Sequence, residues 1–407
     1  MILMTYFCFV FFWFRGCLGL SLMEIIVGES LGDIDIQKMV MNFGYKLTEH
    51  EVVSETGNIL VLHKIRAKRK NLRNGSYTPS VLIQHGLLGA SDNWFLRGPD
   101  KDLPYLLSDA GYDVWLGNMR GNVYSRRHTT LNPDSSSSYW NFALHEIAYY
   151  DLPATIDYIL DKSGQESLFF MGHSIGSTIA LILCSLRPEY NKKILLHLAL
   201  APIAYVAHKP NLYHKFVFAS FPFVEQSVQS KNIHEVFPRR KYFSRFIEYF
   251  CQDGTYFQKL CLMFIFNFVG EDYEQFNATL IPDFAKYYPA GTSLNMATNL
   301  YQMYTTGLFS AMDFGNKTLN MLHYQSDTPP SYNLSNVQHP ITLYYSDGDY
   351  LVTKDDIDIL ADKLPNVKDK FKIPYQTFNH LDFMWAINSK KLLYDQLLLL
   401  LNKYVES

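Results

Sequence analysis

The sequence predicts an α/β fold: a mostly parallel, doubly wound sheet with an inserted helical cap. Three observations carry this expectation. Between Val81 and Leu200, short apolar runs alternate with helical patterns, as βαβ units require. Residues 205–335 then lose strand character and become rich in Phe, Tyr and Met at helical spacing. Ile341–Tyr345 restores an apolar strand. The implied organisation is a leader over 1–21, a first core part over 22–204, a cap over 205–335 and a second core part over 336–407.

With 407 residues and 48% hydrophobic content, the chain can bury a large core, as one domain with an insertion or as two domains. Its net charge of −3 lacks the basic footprint of a nucleic-acid binder. Ile2–Phe14 is almost wholly apolar and leads into small residues between Gly16 and Ser21. This is the pattern of a secretory signal peptide, cleaved near Gly19 or Ser21. The run is short for a membrane span, and no later segment resembles one, so no stable transmembrane anchor is expected. The expected destination is secreted or lysosomal.

Cleavage of the leader removes Cys8 and Cys17, leaving Cys184, Cys251 and Cys261. Cys251 and Cys261 close a short loop and form the expected disulfide of an oxidising compartment. Cys184 lies in an apolar helix and reads as a buried thiol. N-x-[ST] sequons make Asn74, Asn277, Asn316 and Asn333 candidate glycosylation sites.

Along the chain, Asp33–Phe43 reads as a helix capped by Asp33 and ended by Gly44. His50–Ser54 and Asn58–Ile65 flank Glu55-Thr56-Gly57 and predict a hairpin. Arg66–Arg73 is a basic, solvated loop. Val81–Gln84 is a buried strand running into His85-Gly86-Leu87, and Val114–Leu116 is another strand. Pro133–Ser138 is a polar turn. Glu146–Leu160 is a helix interrupted near Pro153. Leu168–Met171 and Ile194–Leu200 are strands, Cys261–Val269 is a buried or lid helix, Phe371–Ile373 is the last strand, and Leu392–Leu401 is a terminal helix.

The chemistry centres on Gly172-His173-Ser174-Ile175-Gly176, a G-x-S-x-G between a strand and a helix. That context defines a nucleophile elbow, in which crowded backbone admits only small residues two positions either side of the serine. A nucleophilic serine needs a general base, and the base needs an orienting carboxylate. On folds with this elbow they follow in the order Ser, Asp or Glu, His. Ile341–Tyr345 runs into Asp347 and Asp349; position favours Asp349, Asp347 competes, and Asp355 and Asp356 are weaker candidates. His380 is the only histidine after His339 and is the natural base. The His85-Gly86 loop offers the Leu87 N–H to an oxyanion. His173 reads as a pocket wall or packing residue, and Asp382 as a turn or helix cap. His145-Glu146 is followed by Tyr149 where a zinc helix would need a second histidine, so no metal and no cofactor is expected.

With these residues assembled, the chain resembles the acid lipase family, which contains gastric lipase and lysosomal acid lipase. Gln84–Trp94 (QHGLLGASDNW), Gly117–Asn122 (GNMRGN), Tyr150–Leu160 (YDLPATIDYIL), Gly172–Ser177 (GHSIGS) and Asn379–Ala386 (NHLDFMWA) carry the resemblance, which runs from about Ile34 to Lys403. It implies an α/β-hydrolase core with a cap or lid, and a serine hydrolase of neutral lipid esters, triglycerides or cholesteryl esters, acting at a lipid–water interface. It also implies Ser174 as nucleophile, His380 as base, and Asp349 as the acid, through the D-x-L segment Asp349-Tyr350-Leu351. The implied oxyanion donors are the N–H groups of Leu87 and Ile175. The family usually has Gln after the nucleophile, so Ile175 departs from its pattern. Alternatives are a non-catalytic lipid-binding protein on this scaffold, or a thioesterase or peptidase.

Overall fold

The computed structural model describes residues 36–67, 79–206 and 211–406. The leader, Asp33, the Asn74 sequon and most of the basic run after Arg66 lie outside the described residues.

The first helix among the described residues, Ile36–Asn42, buries Ile36 and Val40. Strands follow as β1 (Lys46–Val53), β2 (Asn58–Arg66), β3 (Ser80–Gln84), β4 (Asp113–Leu116), β5 (Arg127–His128), β6 (Leu168–His173), β7 (Ile194–Leu200), β8 (Glu235–Val236), β9 (Thr292–Ser293), β10 (Ile341–Tyr345) and β11 (Val367–Lys372). The hairpin turns at Glu55-Thr56-Gly57, with β1 and β2 antiparallel from Val53 opposite Ile59 to Lys46 opposite Arg66. β1 starts four residues earlier than its apolar pattern, because its outer face is exposed and polar.

The main sheet has the order β1-β2-β4-β3-β6-β7-β10-β11, with β5 paired to β2. β2 meets β4 antiparallel; β4, β3, β6, β7, β10 and β11 are mutually parallel along that order. The chain winds outward from β3 to β4, then crosses back to β6. That reversal opens a crevice at the C-terminal ends of β3 and β6, where such sheets bind ligands. β6 is buried at every position, which explains its continuous apolar run.

Two expectations are adjusted. The helix around Pro153 is continuous but irregular: a π-turn at Ile147–Asp151 runs directly into the α-helix Leu152–Ser163, and this wider turn comes just before Pro153, which has no N–H to give to the helical ladder. The last strand covers Val367–Lys372 rather than Phe371–Ile373. It reads VKDKFK, an edge strand whose lysines hide its character from a search for apolar runs.

Between β7 and β10 no described residue adds a strand to the main sheet. It forms helices Leu212–Gln229, Lys241–Phe250, Tyr256–Val269, Ile281–Tyr287, Leu294–Thr306 and Lys317–Tyr324, with β8 and β9 as a separate antiparallel ribbon. Arg239 pairs with Asp92 at 2.9 Å in a buried contact, and Ala290 N–H donates to the Leu88 carbonyl at 2.8 Å, tying this region to the sheet's edge loops. Cys251 and Cys261 are disulfide-bonded and join two of its helices; Cys184 is a buried free thiol. Among the described residues, no helix is long and apolar enough to cross a membrane.

Candidate active site

Ser174 sits between β6 and the helix Ile175–Leu186, at φ 56° and ψ −128°, a conformation that non-glycine residues rarely adopt. The Ser174 N–H donates to the Leu200 carbonyl at 2.8 Å, which pins the elbow to β7. The flanking glycines are sterically required. A Cβ on Gly172 would lie 2.3 Å from Ser177 N, and one on Gly176 would lie 2.5 Å from the His85 carbonyl oxygen. The G-x-S-x-G spacing therefore records two close backbone approaches.

His380 and Asp349 lie on the loops after β11 and β10. His380 Nδ1 donates to Asp349 Oδ2 at 2.7 Å, and both residues are buried. The second carboxylate oxygen accepts the N–H groups of Leu351 and Val352 at 2.8 and 3.0 Å. Asp347 instead points outward and pairs with Lys372. Asp355 is exposed, and Asp356 caps the helix Lys354–Lys363 by accepting the Thr353 N–H at 2.9 Å.

His173 joins the elbow to the His380 loop. Its ring stands 4.7 Å from that of His380, and Nε2–H donates to the His380 carbonyl at 2.9 Å. Burial, with His380 beside it, holds the His173 pKa well below the usual histidine value, so it is a neutral donor. No hydrogen bond joins Ser174 Oγ to His380 among the described residues; such contacts in ligand-free sites often tighten only around substrate.

The loop after β3 lies against Ser174: a Cβ on Gly86 would sit 3.0 Å from Ser174 Cβ. His85 braces the loop. Its Nδ1–H donates to the Gly86 carbonyl at 2.8 Å, while Nε2 accepts the Met119 N–H at 3.1 Å. Burial lowers its pKa to about 4, which keeps this tautomer neutral. The N–H groups of Leu87 and Ile175 donate to no acceptor among the described residues.

Two contributors were not singled out in the sequence. The Tyr288 hydroxyl donates to the Leu87 carbonyl at 3.2 Å from 201 residues away. Trp385 Nε1–H donates to the Asn93 carbonyl at 2.9 Å and clasps the His380 segment to the loop after β3. Asp382 does take a turn role, accepting the Asn379 N–H at 2.6 Å. Among the described residues, no group of three or more His, Cys, Asp or Glu could hold a metal ion. Asn277, Asn316 and Asn333 each use Oδ1 to cap a helical turn.

Residues 79–387 match the α/β hydrolase fold, and residues 36–98 match the partial α/β-hydrolase lipase region. The chain is 36% identical to human gastric triacylglycerol lipase over 370 residues, covering 91% of each chain. It is 38% identical to Lipase 1 of Drosophila melanogaster over 373 residues, covering 92% of this chain and 81% of that one. A solved protein from Sulfolobus solfataricus shares the fold at a TM-score of 0.56 and 14% identity, covering 88% and 94% of the two chains. With its elbow at the sheet's reversal point and its similarity extending over nine-tenths of the sequence, the chain belongs to the acid lipase family of α/β-hydrolases.

Proposed function

We propose that this chain hydrolyses carboxylic esters of neutral lipids, triglycerides or cholesteryl esters, through an acyl-enzyme. The observation that carries the reading is the 2.7 Å His380–Asp349 hydrogen bond beside the strained Ser174 elbow. Ser174 Oγ attacks the ester carbonyl while His380 Nε2 accepts its proton. Asp349 holds Nδ1–H in place, so that Nε2 faces the nucleophile unprotonated, and it stabilises the imidazolium that forms. The Leu87 and Ile175 N–H groups receive the oxyanion, each such donor contributing about 3 kcal/mol. His380 then protonates the departing alcohol, and water attacks the acyl-enzyme by the same route in reverse roles to release the fatty acid. Both oxyanion donors are backbone groups, so the departure from Gln to Ile175 leaves them in place.

Residues 205–335 act in this reading as a cap over the crevice. Exposed Leu212, Phe223, Tyr249 and Tyr256 on that region suit an apolar substrate presented at a lipid–water interface. The apolar leader, the Cys251–Cys261 bridge and the sequons favour passage through the secretory pathway to a secreted or lysosomal site.

The test is hydrolysis of long-chain triglyceride, cholesteryl ester, short-chain ester and peptide substrates across pH 4–8, with wild type and Ser174→Ala. Lipid-ester turnover that disappears in Ser174→Ala, together with Ser174-dependent labelling by a phosphonate, is expected. Full turnover by Ser174→Ala, or a preference for peptides, overturns the reading.

A further inference from the structure

Residues 270–276 of the inserted region run along residues 379–388. Asn379 Nδ2 donates to the Gly270 carbonyl at 3.0 Å, Ile387 N–H to the Gln275 carbonyl at 2.7 Å, and Asn388 N–H to Gln275 Oε1 at 3.0 Å. Phe276 and Ala386 form an antiparallel bridge. The Val269 carbonyl accepts both the His380 N–H at 3.2 Å and the Tyr350 N–H at 3.3 Å, so one peptide group anchors the base and the turn carrying Asp349. Gly270 follows at φ 114°, with space for no side chain: a Cβ would lie 1.9 Å from the Gly348 carbonyl.

Two carboxyl groups are buried in this seam, Asp272 and Asp382, 1% and 0% exposed. Each has one well-satisfied oxygen. Asp272 Oδ1 accepts the N–H groups of Glu274 and Gln275 at 3.0 and 2.9 Å, and Asp382 Oδ2 accepts that of Asn379 at 2.6 Å. The other oxygens, Asp272 Oδ2 and Asp382 Oδ1, are buried with no N–H or O–H partner. The two carboxyl groups face each other within hydrogen-bonding range.

Two buried carboxylates this close repel, whereas one proton between them satisfies both orphaned oxygens. The surrounding charges do not relieve the conflict. Arg97 is the cation that acts on Asp382, but its guanidinium is engaged by Asp102 at 2.8 Å and by the Lys101 and Ala386 carbonyls. Glu274 adds negative charge beside Asp272, and the Tyr375 hydroxyl donates to Glu274 rather than to the pair. His380 is already committed to Asp349 through Nδ1. Burial raises both carboxyls; the charge of Asp272 and the hydrogen bond between the two carry Asp382 well above the ordinary range, while the same hydrogen bond opposes the rise at Asp272, as expected if Asp382 holds the proton and Asp272 accepts it.

We infer that Asp272 and Asp382 share one proton across this seam, and that the shared proton holds the His380 loop in register with Val269 and Gly270. Both are positioning residues, and the inference rests on His380 being the general base. As pH rises and the proton leaves, the two segments repel, and His380 loses the anchors that aim it at Ser174. A raised carboxyl contributes stability that is complete below its unfolded value and is lost as pH rises through its folded one.

The experiment compares wild type with Asp272→Asn and Asp382→Asn, reading kcat/KM and Tm from pH 4 to 9. An amide supplies a permanent N–H donor in place of the shared proton. Each variant is expected to move the alkaline limb of kcat/KM up by about one pH unit or more and to flatten the fall of Tm over the same range. An unmoved limb with an unchanged Tm slope in Asp272→Asn overturns the inference, whether or not Asp382→Asn folds. So does a Ca²⁺-dependent rise in wild-type Tm that Asp272→Asn lacks, since the pair would then hold a cation. Failure of the base assignment is read separately, as His380→Ala turning over at the wild-type rate; the Tm slope reports on the proton alone.

Discussion

His173 Nε2–H donates to the His380 carbonyl at 2.9 Å, so the residue before Ser174 holds the backbone of His380. The contact converts a packing position into a ruler between two loops that are 207 residues apart in sequence. Its burial-lowered pKa keeps the ring neutral, with the proton on the nitrogen that faces the carbonyl.

Removing that donor is expected to lower kcat rather than raise KM. His173→Leu should cost about 3–10-fold in kcat, the range of one neutral hydrogen bond. His173→Gln retains an N–H donor and should recover part of the loss. Steady-state kinetics on a soluble short-chain ester check this; a rise in KM at constant kcat would assign His173 to substrate binding instead.

The two aspartates after β10 should behave oppositely. Asp349→Asn removes the acceptor that sets the His380 tautomer and is expected to lower kcat by about 10⁴-fold. Asp347→Asn touches only an exposed contact with Lys372 and should stay within about twofold of wild type. Equal losses in the two variants would contradict the assignment.

Tyr288 holds the peptide that follows the proposed Leu87 donor, because its hydroxyl bonds the Leu87 carbonyl. Tyr288→Phe should leave thermal stability within about 1 kcal/mol and reduce kcat about 3–10-fold. Binding of a phosphonate that mimics the tetrahedral intermediate should weaken in parallel. A variant that binds the phosphonate as wild type does would remove Tyr288 from any role in shaping the oxyanion loop.

A buried histidine pair at the far end of β7 and β10 should shape acid stability. His197 Nδ1 and His339 Nε2 lie 3.4 Å apart, and burial lowers the His339 pKa to about 3. The unfolded chain binds that proton near the ordinary value of about 6.5, so the stability is complete above it and falls as pH drops toward 3. Urea unfolding at pH 7 and pH 4 should show the wild-type loss shrinking by about 2–3 kcal/mol in His339→Gln. An unchanged loss would mean that other groups carry the acid response.

Local patterns made much of the core legible. Strands β3, β6, β7 and β10 are buried on both faces and therefore read as continuous apolar runs. Edge strand β11 does not, because solvent on its outer side admits Lys368, Lys370 and Lys372. The elbow was legible because close backbone contacts forbid a side chain at Gly172 and Gly176, and that prohibition is visible as glycine. The single histidine after His339 made His380 the candidate base by elimination, and the structure places it against Asp349.

What the sequence determined by itself was the fold class, the family, the elbow and the order of the candidate reacting groups. The fold class and the elbow follow from periodicity and steric exclusion, which act over a few residues; the family follows from the resemblance of five longer stretches, and the order from that of the family. Position and the family resemblance already favoured Asp349; tertiary structure shows why, since Asp349 lies on the buried side of the turn against His380 and Asp347 on the exposed side with Lys372. Tertiary structure decided the contacts of His173 with His380, Tyr288 with Leu87 and Asp272 with Asp382. Each joins residues more than a hundred positions apart, where closeness arises from the path of the chain and leaves no mark in local sequence.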